Sequence, residues 1–300
     1  MKKSLYKCFV YLVTRSLVLI DIIFKKFFKQ YEFLPNVHDR IELKQYHHKI
    51  INNETISFFV PSTTTKWRVD TYFSKEPETL NWINNFKIKN SKKIVFWDIG
   101  ANIGLYSIYA ALKFKDIEII SFEPSTSNTR TLSRNISINN LYDKIKIFPL
   151  ALSDKENIIS FFKETTFTEG GSVFNFDSNT DHDGNIITDN KIQNQYKIFG
   201  TTIDFLINSK IVNVPNYMKI DVDGIEHLIL NGAKDLLKNN DLEEVCIEVN
   251  RNYSKQYELI YDVMSQSGFK SNEGGNLEIL NKNSNINEQN EIKNIFFTRI

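Results

Sequence analysis

From Ile94 to Leu105 the chain reads IVFWDIGANIGL. An apolar run closes on Asp98, the loop Asp98-Ile99-Gly100-Ala101-Asn102-Ile103-Gly104 follows, and a helical pattern begins at Leu105. Strand, tight glycine-bearing loop and helix, in that order, form the unit that presents a nucleotide-type ligand at the carboxyl edge of an open α/β sheet. Gly100 and Gly104 are expected to let the backbone approach the ligand and the helix pack closely. Asp98 and Asn102 add polar groups beside it. The spacing is not G-x-G-x-x-G, so the third glycine of a dinucleotide fingerprint is out of place.

Downstream, Ile117–Phe122 reads as a strand that ends on Glu123-Pro124, 19 residues after Gly104. A carboxylate there can accept hydrogen bonds from both ribose hydroxyls, and no arginine adjoins it to favour a 2′-phosphate. The bland alternative is a helix cap. The pattern continues with a helix over Thr126–Asn139, strands over Ile145–Leu150 and Ile158–Phe162, and a strand over Tyr217–Val222. A helix over Ile225–Lys238, a strand over Glu244–Val249, a helix over Tyr257–Ser267 and a strand over Ile292–Thr298 complete it. Strands alternating with helices of this length predict a mostly parallel, doubly wound sheet. The polar stretch 164–200, with Gly170-Gly171, is expected to be a substrate lid. The Asn-rich stretch Asn281–Asn290 reads as a loop.

A third concentration of chemistry is Lys219-Ile-Asp-Val-Asp-Gly-Ile-Glu226. Asp221, Asp223 and Glu226 put three carboxylates into six residues beside apolar Ile220, Val222 and Ile225. Burying them unpaired is costly, so they need a cation, a donor or a proton to handle. Pairing with Lys219 and helix-terminal amides is the purely structural alternative.

Upstream of the regular pattern, residues 30–60 look irregular, with a short strand-like run Thr55–Val60. The segment Pro61–Ile83 is dense in Trp67, Arg68, Tyr72, Phe73, Trp82 and charges. Pro77 opens a helix with Glu78 in its first turn. Residues 2–29 form a basic amphipathic helix: Lys3, Lys7, Arg15, Asp21, Lys25, Lys26 and Lys29 fall within an arc of roughly 140° at 100° per residue. Its role is packing on the domain or a partner chain, or peripheral contact with an anionic membrane on the inner face. Charges interrupt it too often for a signal peptide or a span. The domain expectation is therefore helix 1–30, extension 31–90 and ligand-binding domain 91–300.

A net charge of +1 gives no field that attracts nucleic acid. Two cysteines, Cys8 and Cys246, exclude a disulfide framework and fit a reducing, cytoplasmic setting.

DIGANIG, the Phe122–Pro124 FEP, the Ala151–Ser153 ALS, KIDVDGIE and the terminal NIFFTR (Asn294–Arg299) together resemble the FkbM family of methyltransferases, over about Lys92–Ile300. The resemblance implies the class I methyltransferase fold, Rossmann-like, with seven strands of which the last is antiparallel. It implies S-adenosylmethionine (SAM) as cofactor and O-methylation of a sugar or polyketide hydroxyl. Asp98, Gly100, Ala101, Asn102 and Gly104 would hold the methionine end, Glu123 the ribose, and Ala151 and Leu152 the adenine. Family members more often have Glu where this chain has Asp223; the carboxylate is kept and only its reach changes. KEPETLNWI (Lys75–Ile83) is similar to members found among surface-polysaccharide genes, which points to a glycan acceptor.

Asp221 or Asp223 is the expected base, then Glu226, with His227 a more remote candidate. A second use of the same strand ends is Mg²⁺ binding by Asp221, Asp223, Glu248 and Asn250, as in catechol-type O-methyltransferases of this fold. The rival classes are an NAD-dependent oxidoreductase, which lacks its third glycine and a Tyr-x-x-x-Lys pair, and a non-catalytic SAM-fold partner protein.

Overall fold

The computed structural model describes residues 2–29, 32–87, 93–172, 174–178, 180, 183–272 and 292–300. The Asn281–Asn290 loop lies outside them. The chain divides into two compact units, Met1–His47 and His48–Ile300.

The first unit holds helices α1 (Lys2–Phe27) and α2 (Phe33–Glu42). Asp21 is the one described residue of α1 that is buried, and its Oδ1 accepts the Leu34 N–H at 3.2 Å. That bond satisfies a donor in the first turn of α2, which has no side-chain cap of its own.

The second unit begins within a hairpin of β1 (Tyr46–Ile51) and β2 (Glu54–Phe59). Residues 32–60 are thus more regular than expected, and the strand-like run at Thr55–Val60 corresponds to β2. Asn52 and Asn53 both have positive φ, which a two-residue hairpin turn requires. Helices α3 (Thr63–Asp70) and α4 (Pro77–Asn84) follow. Ser62 and Thr65 cap α3 reciprocally, and Pro77 starts α4 as expected.

The alternating pattern then yields β3 (Ile94–Ile99), α5 (Leu105–Lys113), β4 (Ile117–Phe122), α6 (Thr126–Ile138) and β5 (Ile145–Phe148). Next come β6 (Ala151–Leu152), β7 (Ile158–Glu164), β8 (Phe174–Phe176), β9 (Asn194–Thr201) and α7 (Ile203–Asn208). The chain closes with β10 (Tyr217–Ile220), α8 (Glu226–Asn231), β11 (Glu244–Asn250), α9 (Ser254–Gln266), β12 (Phe269–Ser271) and β13 (Ile292–Arg299).

Seven strands form one sheet in the order β12-β13-β11-β10-β3-β4-β5. The five from β11 to β5 run parallel, and the last strand, β13, is antiparallel to β11 and β12. This is the doubly wound, class I arrangement. β4 is buried along its whole length, as a central parallel strand covered on both faces must be. The order reverses between β3 and β10, where Ile99 lies beside Ile220. A crevice opens at such a switch point, outside the carboxyl ends of the two strands.

Two expectations change. The stretch 164–200 is not a free lid: β8 and β9 join β6 and β7 in a four-stranded sheet, with Ala151 paired to Gly200. The helix expected over Ile225–Lys238 ends at Asn231, and a single 3₁₀ turn covers Leu236–Lys238. Gly232 breaks it by lying against Ser153, where a Cβ would meet the Ser153 carbonyl oxygen at 2.2 Å.

α4 is fastened over the sheet by Trp82. Its Nε1 donates to Glu244 at 2.7 Å, and its ring packs against Phe86, Phe96, Tyr217 and Phe296. Phe86 stacks on Tyr217 at 3.8 Å. The segment before the core thereby holds Lys75 and Glu76 at the sheet's carboxyl edge.

Candidate active site

The loop after β3 is shaped by its neighbours. Gly100 and Ala101 both donate to the Phe122 carbonyl, at 2.9 and 3.0 Å. Gly100 has φ +80°, and a Cβ there would lie 1.8 Å from the Asp221 carbonyl oxygen. The glycine is therefore demanded by the end of β10 rather than by ligand volume alone. Gly104, at φ +87°, serves helix packing: a Cβ would meet Leu132 Cδ1 at 2.4 Å. Asp98 is fully buried below the loop and lines neither cavity described here. Its Oδ2 accepts the Ser107 N–H at 3.1 Å and the Ser107 hydroxyl at 2.6 Å, anchoring the first turn of α5. Burial pushes its carboxyl up, against the Lys219 charge.

A cavity of about 620 Å³ opens over this loop, within the usual size range for a small-molecule site. Gly100, Asn102, Glu123, Ala151 and Leu152 line it. Ala101 faces an adjoining pocket of about 30 Å³. Glu123 is 3% exposed; Oε2 accepts the Asn102 N–H at 2.7 Å and Oε1 the Ser125 N–H at 2.8 Å. Each oxygen keeps a further lone pair, so the carboxylate can still accept two hydroxyls. Burial pushes Glu123 up to about 7, and the two N–H bonds oppose that shift. Ala151 and Leu152 belong to an apolar end with Phe162, Phe174 and Phe176. Asn102 Nδ2 donates to the Gly171 carbonyl at 2.8 Å, and Arg68 Nε donates to that of Gly170, so Gly171 is fastened to the loop and Gly170 to α3.

The other end is charged, and sheet register explains why. Asp98, Lys219 and Cys246 form one row across β3, β10 and β11. Two residues further on, Asp221 and Glu248 occupy the same face at the cavity. Lys219 is fully buried; its Nζ lies 2.6 Å from Asp221 Oδ2 and 5.0 Å from the Tyr106 ring centre. Burial opposes its charge, but Asp221, Asp98 and Glu76 outweigh burial and hold its pKa high. For Asp221, burial is likewise outweighed, here by Lys219, and its carboxyl stays below the ordinary value. Burial and then repulsion from Asp221 and Asp223 push Glu248 well up.

Glu76, Asp221 and Glu248 offer oxygens within 4.8 Å of one another. Of the four residues considered for Mg²⁺, Asp221 and Glu248 meet here and Asp223 lines the same cavity. Asn250 does not line it, and donates to Asp183 at 2.7 Å. Glu226 is buried outside the cavity lining. It accepts the Val222 and Gly224 N–H groups at 3.2 Å and Gln256 Nε2 at 2.6 Å. It thus fixes the loop that carries Asp223, and burial pushes it up to about 7. His227 lies beside Gln256, also off the cavity, and burial lowers its pKa.

Arg68, Lys75, Glu76 and Glu78 line the cavity from α3, α4 and the turn between them. None of the four belongs to a motif of the α/β pattern. Their signals were the dense mix of aromatic and charged residues before the regular pattern and, for Lys75, Glu76 and Glu78, the KEPETLNWI resemblance.

The Methyltransferase FkbM domain profile matches residues 98–271, more than half of the chain. The chain is 39% identical over 56 residues to Methyltransferase sdnD of Sordaria araneosa, covering 19% of this chain and 22% of that protein. It is 25% identical over 160 residues to Methyltransferase 1 of Beauveria bassiana, covering 50% and 63%. The chain thus spans less than two thirds of these relatives' length. Among solved structures it is similar to an FkbM methyltransferase from Methylobacillus flagellatus KT, at 14% identity, TM-score 0.43 and coverage of 78% and 53%. It is also similar to a SAM-dependent methyltransferase from Agrobacterium tumefaciens, at 7% identity, TM-score 0.44 and coverage of 84% and 69%. With the glycine loop, Glu123 and the Asp221 loop all inside the matched segment, the chain belongs to the FkbM family of methyltransferases.

Proposed function

We propose that the protein transfers the methyl group of SAM to a hydroxyl of a sugar in a surface polysaccharide or glycoconjugate. One observation carries this reading: a single cavity joins Glu123 and an apolar end to a carboxylate-rich end, across the switch point of the sheet. The two ends suit the two halves of the reaction. Glu123 has acceptor capacity for a ribose diol, Ala151 and Leu152 supply an apolar surface for adenine, and Asn102 supplies a polar side chain at the loop. SAM, when bound, supplies an electrophilic methyl on a sulfonium.

The chain's own task is to orient a hydroxyl and take its proton. Glu76 and Glu248 suit the hydroxyls of a sugar. Asp221, held ionised by Lys219, is committed to an ion pair and is a weak base. We therefore assign the proton to Asp223, whose loop Glu226 holds in place. Cys8 and Cys246 are free thiols, which suits a reducing compartment.

Incubation with methyl-labelled SAM and fractionated cell-envelope glycans tests the proposal. It predicts label in an alkali-stable sugar ether. Label in an ester or an amine, or none in any fraction, overturns it.

A further inference from the structure

The helix α1 exposes its apolar side. Leu5, Phe9, Leu12, Leu19, Ile23 and Phe27 are all exposed, Phe9 at 65% and Phe27 at 76%. At 100° per residue these six fall within about 80° of one another. Tyr6, Val13 and Ile20, exposed as well, widen that sector to about 140°. The opposite side carries Lys7, Arg15, Lys25 and Lys26, interspersed with exposed Tyr11, Val18 and Ile22. Between Lys2 and Phe27 the helix carries six basic residues and one acidic residue, Asp21, for a net +5. That one carboxylate is buried and occupied by Lys25 at 3.0 Å and by the Leu34 N–H. Its charge is spent inside the unit.

We infer that α1 is a docking surface for an anionic lipid bilayer, lying in the interfacial plane. A helix of 26 residues is about 39 Å long, and no described helix is long and apolar enough to cross a membrane. A wide apolar sector flanked by lysines is the pattern of a helix that buries one side at the headgroup boundary. Each basic residue near an anionic surface adds about 1 kcal/mol of attraction, so the net charge of +5 makes the charge complementarity large. A second copy of the helix fits less well. A two-stranded seam uses a stripe narrower than this sector, so pairing two copies would leave part of the exposed apolar surface uncovered.

Full-length protein is floated with vesicles of phosphatidylcholine alone and of phosphatidylcholine with 30% phosphatidylglycerol, the lipid fraction being about that needed for a strongly negative surface. Recovery with the anionic vesicles is expected to exceed recovery with neutral ones by about tenfold at low salt, and to fall severalfold at about 0.5 M salt. F9D/I20D is expected to abolish recovery while its far-UV circular dichroism and its melting above 30 °C match the wild type, on the order of 1 °C. Equal recovery with both vesicles, or none with either, overturns the proposal. So does a dimer by light scattering that F9D/I20D converts to monomer without any vesicle binding, which would make the face an interface between copies.

Discussion

Replacing Lys219 with methionine removes the buried cation of the site with little change in volume. The Nζ sits 2.6 Å from Asp221, and its field also reaches Asp98 and Glu76. Removing one partner of a buried pair leaves the other charge uncompensated, at a cost of about 3–5 kcal/mol. For a unit of this size that is a fall in Tm of roughly 6–20 °C. The pH dependence follows from the directions of the shifts. Asp221 is lowered, so its contribution is present above its ordinary carboxylate range and lost in acid; Lys219 is raised, so its contribution persists below its ordinary range and is lost at high pH. Between pH 5 and 8 (about the neutral plateau) the wild-type pair contributes fully. In Lys219→Met only Lys75 and Arg68 still oppose burial at Asp221, so its pKa rises above its wild-type value. The deficit relative to wild type is then larger at about pH 8 than at about pH 5. Adding Asp221→Asn removes the stranded charge and recovers about 2 kcal/mol or more. Urea denaturation at both pH values measures all three quantities. A deficit under about 1 kcal/mol, a deficit independent of pH, or no recovery in the double variant refutes the reasoning.

Gly100→Ala forces a Cβ to within 1.8 Å of the Asp221 carbonyl at φ +80°; overpacking and left-handed strain together cost about 2–5 kcal/mol, and a wild-type Tm refutes this. With burial pushing Glu123 up to about 7, SAM affinity should rise roughly tenfold from pH 6 to pH 8 and stay flat in Glu123→Gln, as read by calorimetry; a flat wild-type profile contradicts the ribose assignment. Lys75 and Lys219 pair with Glu76 and Asp221, so exhaustive EDTA treatment should leave methyl transfer within about twofold; a loss of more than about tenfold that Mg²⁺ restores assigns the three carboxylates to a metal.

The parallel sheet was legible because its strands and helices keep different apolar periods, and because Ile117–Phe122 and Leu105 onward show them cleanly. Glu123 was legible from its place at a strand end. β9 was not: Asn194–Thr201 alternates, but Gln195, Lys197 and Phe199 are exposed and its inward set is Asn194, Tyr196, Ile198 and Gly200. A polar strand that pairs within a small sheet looks like loop until its partners are known. Glu76 was missed for a related reason. It reaches the site through tertiary packing of Trp82 and Phe86 on the sheet, which no local pattern encodes. Glu226 shows the converse. Its position in a carboxylate cluster suggested chemistry, while its backbone partners make it a loop anchor.

The central claim is that the cavity over the Asp98–Gly104 loop is a SAM site. Calorimetric titration of the full-length protein with SAM, and in parallel with NAD⁺, tests it most directly. The account predicts one SAM bound per chain, no heat from NAD⁺, and a loss of roughly 1–3 kcal/mol in affinity in Glu123→Ala, the cost of removing hydrogen bonds to a charged group. Binding of NAD⁺ in place of SAM, or a Glu123→Ala variant with wild-type SAM affinity, would contradict it.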